Sequence, residues 1–435
     1  MPRRFVLAVM LAAPMVLRGA PTPSDMNALA DRYVQLVLAV GQHDASFVDA
    51  YYGPPEWKSA AAAAGKLALP ELLTEASAIH AGVTALAAPA DEMGRLRREY
   101  LLKQVNAVGA RIRMLQGIRM SFDEESKALY DAVAPTYPTS HFDRALKDLE
   151  SLVPGTGPLA TRIEAFRQRY VIPPAKLETV FRAAIAECRA RTVSHIALPD
   201  SEQFRLQFVT NQVWSGYNWY QGKFQSLIQV NTDLPIFIER AVDLACHEGY
   251  PGHHVYNMLL EQHMVQERGW REFTVYPLYS PQSLIAEGTA NFGIDVAFPA
   301  EERVKFESEK LFPLAGLDPA MAAKYYDVFS HLDALSYAGN EAARRYLDGQ
   351  AGAKETVDWL VTYTLSSRPR AEQRLRFFDQ NRSYVINYNY GKDLVRRYVE
   401  AHGGSSDRPD VRWRVFADLI SSPRLPSGLG ASSSR

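Results

Sequence analysis

The densest chemical feature of the 435-residue chain is a short stretch that contains His247, Glu248, His253 and His254. Four of its ten histidines lie within residues 247–263. Imidazole nitrogens and carboxylate oxygens are ligands that Zn²⁺ takes in proteins, and a Glu beside the metal can accept a proton from a water molecule. The pattern therefore favours a metal site with a general base over a core helix whose histidines are simply hydrogen-bonded.

The spacing of these histidines does not fit one straight helix. His253 is six residues after His247, about 120° around the axis, and His254 is seven after it, about 10.5 Å along the axis. Pro251 lacks an N–H, and in a regular helix its ring clashes with the carbonyl of His247. Gly252 tolerates the dihedral angles that a bend requires. We therefore predict a kinked or bulged helix in which His253 is the second ligand, with His254 as the alternative.

A third protein ligand is expected, because catalytic zinc sites combine three protein ligands with one open position. Glu287 is the candidate, since the small residues Ala286, Gly288 and Ala290 around it allow a neighbouring helix to come close. Asn291 lies on the same helix face, four residues on, and could hydrogen-bond a ligating histidine. The alternative for Glu287 is an ordinary first-turn carboxylate favoured by the helix dipole.

The arrangement of these residues resembles a known family. His-Glu-x-x-Pro-Gly-His-His at 247–254, with Glu-Gly-x-Ala at 287–290, resembles a bacterial domain-of-unknown-function family marked by an HExxPGH motif. That family is grouped with the gluzincin-type, zincin-like metallopeptidases. Gln-Val-Asn-Thr-Asp at 229–233 and Tyr-x-x-Gly-Lys at 388–392 also resemble it. The recognisable match covers residues 200–400.

The resemblance implies a largely helical, zincin-like fold with His247, His253 and Glu287 on Zn²⁺. The chain departs from the family at Thr289, where members often have Trp, and this difference would alter the wall of the pocket. Because the family's substrates are mostly undefined, the resemblance implies the site rather than the reaction.

The residue types themselves predict a hydrolytic reaction. Zinc with an open position lowers the pKa of a bound water to about 7, and Glu248 would then act as general base and later protonate the leaving amine. Tyr388 is the first candidate for a further oxyanion donor because of the Tyr-x-x-Gly-Lys resemblance. Tyr384 and Arg382 are the other candidates, and aromatic core packing is the alternative role for Tyr388.

The predicted activity is that of a zinc-dependent hydrolase, most simply a metallopeptidase, whose substrate is a peptide or a small amide. One alternative is a non-catalytic, metal-stabilised helical scaffold or binding protein. Another is a metal hydrolase that acts on non-peptide esters or amides. The presence of Glu248 favours an enzyme, because a purely structural metal site has no use for an acid–base group.

Composition excludes several other classes of protein. Lys and Arg number 48 and Asp and Glu 49, so the formal net charge is −1. This balance argues against a nucleic-acid partner, which requires a basic surface. Hydrophobic residues make up 47% and charged residues 22%, as in ordinary globular domains. The two cysteines, Cys188 and Cys246, cannot form a disulfide framework and are expected to be free thiols.

The elements that must position these residues are mainly helical. Apolar periodicity predicts helices that include 26–42, 92–120, 174–193 and 317–348. Residues 203–231 are rich in aromatic and β-branched side chains, which predicts a small antiparallel hairpin or sheet beside the metal-binding helix. Its segment 224–231 could pair as an edge strand with an extended peptide. The predicted fold class is therefore mainly α, a large helical zincin-like fold with a small antiparallel β-sheet.

The chain divides into four predicted regions. Residues 1–20 are predicted to be a signal peptide, because two arginines precede an apolar run that is too short to span a membrane. The expected location is therefore outside the cytoplasm, periplasmic or secreted, with a cytoplasmic location as the alternative. An N-terminal helical region follows at 21–200 and a zincin-like catalytic region at 201–420. Residues 421–435, rich in Pro, Gly and Ser, are predicted to be a disordered tail.

Overall fold

The computed structural model describes residues 25–430. The predicted signal peptide at 1–20 and the final residues 431–435 lie outside the described residues. The fold is mainly α, which confirms the predicted class, and its short strands form two small sheets. Within the described part of the chain, no helix is both long and apolar enough to cross a bilayer.

The helices cover most of the described chain. They are α1 (Met26–Gly41), α2 (Pro55–Ala64), α3 (Leu69–Ala85), α4 (Glu92–Leu115), α5 (Phe122–Tyr130), α6 (Thr139–Leu152), α7 (Leu159–Gln168), α8 (Leu177–Val193), α9 (Glu239–Leu244), α10 (His253–Leu260), α11 (Pro281–Ala297), α12 (Ala300–Phe306), α13 (Phe312–Ala315), α14 (Ala322–Asp333), α15 (Ala338–Leu347), α16 (Ala353–Tyr363), α17 (Arg368–Asn381), α18 (Ile386–Ala401), α19 (Pro409–Ile420) and α20 (Pro426–Gly430). The strands are β1 (Val48–Tyr51), β2 (Gln203–Val209), β3 (Gly216–Gly222), β4 (Gln225–Asn231) and β5 (Val275–Pro277).

Local signals place several helix starts. Asp25 caps α1 and Asp91 caps α4, and each carboxylate accepts a hydrogen bond from a backbone N–H of the first turn. The helix predicted over 317–348 is interrupted, because α14 ends at Asp333 and α15 begins at Ala338. The intervening turn lets the Tyr337 hydroxyl donate to Asp393 of α18 at 2.6 Å.

The three-stranded sheet contains the predicted antiparallel hairpin, β3–β4, but it also includes β2 in parallel, so the sheet as a whole is mixed. Its order is β2-β4-β3, with β4 antiparallel to β3 and parallel to β2. The cause is that β4 returns along β3 and then lies between β3 and β2. Because β4 is paired on both sides, it cannot accept a peptide, and the edge-strand prediction for 224–231 is wrong. β3 is an edge strand of this sheet.

A second, two-stranded sheet joins distant parts of the chain. β1 pairs antiparallel with β5, with Ala50 opposite Tyr276. Helix α11 follows β5 and is buried along almost its whole length. It packs against α18 where Gly288 faces Gly391, and a Cβ on Gly288 would lie 2.6 Å from the Gly391 backbone. This close approach brings the residues of α11 next to those at the start of α18.

The C-terminal segment is ordered up to residue 430, so the predicted disordered tail is wrong for 421–430. Helix α20 forms there and packs against α18. Leu425 and Leu429 are buried. Burial of these apolar side chains compensates for the entropy that the small neighbouring residues lose.

Candidate metal centre

The chain around the histidines forms two helical segments with a break between them. Helix α9 continues into a π-helical segment, Ala245–Gly249, which holds His247 and Glu248. The chain then leaves the helix at Tyr250, and α10 begins at His253. A Cβ on Gly252 would lie 1.9 Å from the His247 carbonyl oxygen, so only glycine fits at this position. The predicted distortion is therefore present as a π-helical turn followed by a full break.

The break brings three side chains of different elements together. The Nε2 atoms of His247 and His253 lie 3.2 Å apart. The Glu287 Oε2 atom of α11 lies 3.2 Å from the His247 Nε2 and 3.6 Å from the His253 Nε2. The possible ligand atoms all lie within 4.8 Å of one another. One metal ion could therefore contact all three residues.

The hydrogen bonding of the cluster fits a metal ion. His247 Nδ1 lies 3.2 Å from the Asn291 Oδ1, an acceptor, and this contact favours the tautomer that has its proton on Nδ1 and a lone pair on Nε2. Glu287 Oε2 is buried and accepts no hydrogen bond from any residue in the described part of the chain. A nitrogen lone pair and an unsatisfied carboxylate oxygen that face the same point can both act as ligands of a divalent cation. Two imidazoles and one carboxylate are a ligand set typical of catalytic zinc.

Further contacts orient the cluster. Tyr384 of the turn before α18 donates its hydroxyl proton to Glu287 Oε1 at 2.7 Å, which directs Oε2 toward the histidines. Asn291 holds His247 by its side-chain oxygen, as the sequence spacing suggested, and donates from Nδ2 to the Tyr388 carbonyl at 3.2 Å. Supporting contacts of this kind fix the orientation of metal-binding side chains.

Glu248 lies beside the cluster without belonging to it. Its side chain is buried, and its Oε1 lies against Gly216 of β3, where a Cβ would come within 2.8 Å. Asn218 of the same strand donates to the Glu248 backbone carbonyl at 2.6 Å. Burial raises the pKa of the Glu248 carboxyl, and the nearby His247 and His253 oppose that rise. Strand β3 therefore holds a carboxylate next to the candidate ligands.

His254 points away from the cluster. It is fully buried, with Nδ1 2.8 Å from the Ser226 hydroxyl of β4 and Nε2 3.0 Å from a Glu202 carboxylate oxygen. Since α10 begins at His253, consecutive side chains diverge by about 100° around the helix axis. The structure thus brings His253 to the candidate metal position and leaves His254 in the packing between α10 and the sheet.

His254→Ala should cost stability and leave metal binding intact. Truncation removes a buried partner of Glu202 and Ser226, which should destabilise the fold by about 1–3 kcal/mol. Zinc content and thermal unfolding, measured on the same preparations, check this expectation. A folded His254→Ala protein that no longer binds zinc would instead make His254 a ligand.

Asp49 also faces the site and was not predicted from the sequence. Asp49 lies on β1, and its carboxylate accepts a hydrogen bond from the Tyr217 hydroxyl. Removal from bulk water raises the pKa of Asp49 to about 7, although the neighbouring His253 opposes the shift. No local pattern around residue 49 indicates a site. Only the pairing of β1 with β5 brings this carboxylate into the cleft.

The three candidates for the oxyanion donor differ in their hydrogen-bond and ion-pair partners. The Tyr384 hydroxyl already donates a hydrogen bond to Glu287, and Arg382 forms an ion pair with Glu125 at 2.6 Å. Tyr388 lines the same cleft as Glu248, and within the described residues its hydroxyl has no hydrogen-bond partner. Its ring lies 5.8 Å from the Tyr384 ring. Tyr388 is therefore the candidate whose phenol is free to contact a substrate.

The site opens into a cleft of about 1170 Å³, large enough for several residues of a peptide. Residues of β3 and its preceding loop form one wall, where the Tyr217 ring lies 5.4 Å from Trp214 and 4.5 Å from Trp219. Trp219 is 40% exposed. The cleft therefore has an aromatic wall beside the candidate metal position.

No protein-family model matches the chain, and no curated protein matches it in sequence. The chain is similar in structure to a candidate lipoprotein from Colwellia psychrerythraea, with a TM-score of 0.50, 13% identity, and coverage of 86% of this chain and 71% of that one. At this identity the similarity supports the fold alone.

Two peptidases show lower structural similarity. For a Pyrococcus furiosus carboxypeptidase in an apo–Mg form, the TM-score is 0.42 at 13% identity, covering 91% of this chain and 88% of that one. For Trypanosoma cruzi metallocarboxypeptidase 1, the TM-score is 0.40 at 12% identity, covering 91% and 89%. Scores this low do not transfer an activity.

Proposed function

We propose that the protein is a zinc-dependent hydrolase that cleaves peptide or peptide-like amide bonds. The observation that carries the proposal is the convergence of His247, His253 and Glu287, with the Glu248 carboxylate beside them in a large cleft. Structural zinc sites are closed by four protein ligands, whereas three ligands leave a position open to water and substrate. The open cleft therefore supports an enzyme over a scaffold.

Each side chain has a role in this proposal. His247, His253 and Glu287 would hold the zinc ion, which when bound supplies a Lewis acid that polarises a carbonyl and lowers the pKa of a water to about 7. Glu248 accepts the proton of the attacking water and returns it to the leaving nitrogen. Because Glu248 is outside the cluster of candidate ligands, its carboxylate is available for this transfer.

Tyr388 stabilises the developing charge in this mechanism. Its phenol donates a hydrogen bond to the carbonyl oxygen of the substrate as that oxygen becomes negative. Burial raises the pKa of Tyr388, so the phenol keeps its proton at neutral pH. Tyr384 has a different role, because its hydroxyl orients Glu287.

A peptide-library screen tests the proposal directly. The zinc-loaded full chain is incubated with N-acetylated peptides, with and without a chelator, and products are identified by mass spectrometry. We expect cleavage that the chelator abolishes and added zinc restores. Absence of peptide cleavage in a protein that binds zinc, together with cleavage of simple esters, would favour the non-peptide hydrolase. Absence of any hydrolysis would favour the scaffold.

Tyr388→Phe and Tyr384→Phe should have different effects. Tyr388→Phe should lower kcat about 10- to 100-fold with unchanged zinc affinity, since it removes one hydrogen-bond donor to the developing charge and leaves the Lewis acid that a bound zinc ion would supply. Tyr384→Phe should instead weaken zinc binding about 10- to 100-fold, because Glu287 loses its orienting partner. Competition with a chelator gives the zinc affinity, and steady-state kinetics give kcat. Full turnover in Tyr388→Phe would remove Tyr388 from the mechanism.

Export is part of the proposal. Its support is the sequence of residues 1–20, in which a charged start precedes an apolar run. In a bacterial host, we expect the mature chain to accumulate outside the cytoplasm with its N-terminal segment removed. Cell fractionation and intact-mass measurement check this. A full-length chain found only in the cytoplasm would contradict export.

A further inference from the structure

The cleft around the candidate metal centre is lined by several cations: Arg240, Arg303, Arg370, Arg374, Lys392 and Arg396. Most of them have acidic partners. Arg303 pairs with Asp243 at 2.8 Å, and Arg240 pairs with the same carboxylate at 3.3 Å. Lys392 and Arg396 both pair with Asp295, at 3.0 and 3.3 Å. Each of these four cations therefore has a carboxylate acceptor at the cleft wall.

Arg374 of α17 is different. Within residues 25–430, its guanidinium has no carboxylate partner and no hydrogen-bond acceptor, and it contacts aromatic rings instead. Its central carbon lies 5.2 Å from the Phe377 ring centroid, 5.5 Å from that of Phe378 and 5.9 Å from that of Tyr388. The side chain is half-buried, and this partial loss of water lowers the pKa of Arg374.

The guanidinium of Arg374 has N–H donors that no protein group of the described residues accepts. Aromatic faces attract a guanidinium, but they do not satisfy its N–H donors. A half-buried guanidinium has lost part of its hydration, so an anion that reaches it makes strong, charge-assisted hydrogen bonds. The Arg374 donors face a cleft that is open to a ligand, so the missing acceptor can arrive with the substrate.

Arg374 also lies within reach of the candidate metal centre. The Tyr388 ring is in contact with the guanidinium on one side and lies 5.8 Å from the Tyr384 ring on the other. Tyr384 in turn donates to Glu287. Two aromatic rings therefore separate Arg374 from a candidate ligand. A few residues of extended peptide, at about 3.3–3.6 Å each, cover that distance.

We propose that Arg374 binds a carboxylate of the substrate and that the site selects anionic peptides. A guanidinium forms two parallel hydrogen bonds with a carboxylate, which gives both affinity and a fixed orientation. The carboxylate is either the free C terminus or an acidic side chain near the scissile bond. This inference rests on the proposed function, because it concerns the substrate of the same site.

Binding without turnover tests the inference. The zinc-loaded Glu248→Gln protein is equilibrated with three pools of N-acetylated pentapeptides, and the retained peptides are quantified by mass spectrometry after gel filtration. The pools are free acids, C-terminal amides, and amides that carry an internal Glu in place of Gln. We expect the free acids or the Glu-containing amides to be retained about tenfold or more over the neutral amides. Whichever of these two pools is enriched identifies the source of the carboxylate.

Arg374→Met in the same background should abolish the preference, because Met keeps an unbranched apolar side chain without the charge. Arg370→Met is the matched control. Arg370 lies one turn earlier on α17 and lines the same cleft, but its guanidinium donates to the Pro235 carbonyl. The Arg370 variant should keep the preference. In the wild type, Arg374→Met should raise KM for the acids more than for the amides.

Three results would overturn the inference. One is that the Glu248→Gln protein retains the anionic and the neutral peptide pools equally. This result can be observed without any Arg374 variant. Another is a preference for anionic peptides that persists in Arg374→Met, which would indicate that the zinc ion, and not Arg374, binds the carboxylate. The third is loss of the preference only in Arg370→Met. Failure of the proposed function is a separate result, because it appears as absence of cleavage by the wild type, whatever the binding data show.

Discussion

Glu248→Gln is expected to lower hydrolysis by about 10²–10⁴-fold or more while each chain still binds one zinc ion. Gln keeps the size and hydrogen-bonding reach of Glu, but it cannot accept the proton of the attacking water at neutral pH. The candidate metal position is formed by three other side chains, so metal binding should not change. Turnover and zinc content are measured on the same protein.

The control for this variant is the same substitution at an exposed carboxylate. Glu301 lies in the first turn of α12 and is exposed, so Glu301→Gln should retain wild-type turnover. Gly216→Ala adds a second line of evidence. Its Cβ would press on Glu248 Oε1, so turnover should fall without a change in zinc content. Wild-type turnover in zinc-loaded Glu248→Gln would show that Glu248 is not the base.

His247→Ala, His253→Ala and Glu287→Ala are each expected to reduce zinc from about one ion per chain to a small fraction, and to abolish hydrolysis. Each change leaves only two of the three protein ligands that such a site requires. The wild type should melt at a higher temperature as zinc is added, because a ligand that binds only the folded state stabilises it. The three variants should lose that shift.

His263→Ala is the matched control for the ligand variants. His263 belongs to the same histidine-rich stretch, but its Nδ1 lies 3.0 Å from Glu267, away from the cluster. Zinc content and the zinc-dependent melting shift should stay at wild-type values in this variant. Elemental analysis and thermal melts give both quantities. A folded wild type that binds no zinc after purification without chelator and refilling would refute the metal proposal.

The helical part of the fold was predictable because its signals are local. Apolar periodicity predicted α1 and α4 to within a few residues, and the structure shows that Asp25 and Asp91 cap them. The distortion after His247 was also predictable, since Pro251 and Gly252 act on the backbone within one turn. These effects involve neighbouring residues only, so they can be predicted from the sequence without the tertiary structure.

Strand pairing and the tail were predicted less well. The segment 203–231 indicates strands by composition, but composition does not specify that β4 lies between β2 and β3. The C-terminal segment is rich in small residues, yet Leu425 and Leu429 find an apolar surface on α18. In both cases the outcome depends on which distant surface is available for pairing or burial.

The candidate site also combines features that follow from the local sequence with features that depend on tertiary packing. The sequence by itself determined that His247, Glu248 and His253 lie close together, because they fall within seven residues of one locally distorted backbone. Only the tertiary structure decided that Asp49 faces this point, and that Arg374 lines the cleft without an acidic partner among residues 25–430. Asp49 depends on β1 pairing with β5, and Arg374 depends on where α17 packs. Such contacts follow from the burial of apolar surface. Because this burial is non-directional, the local sequence does not indicate which distant element will be in contact.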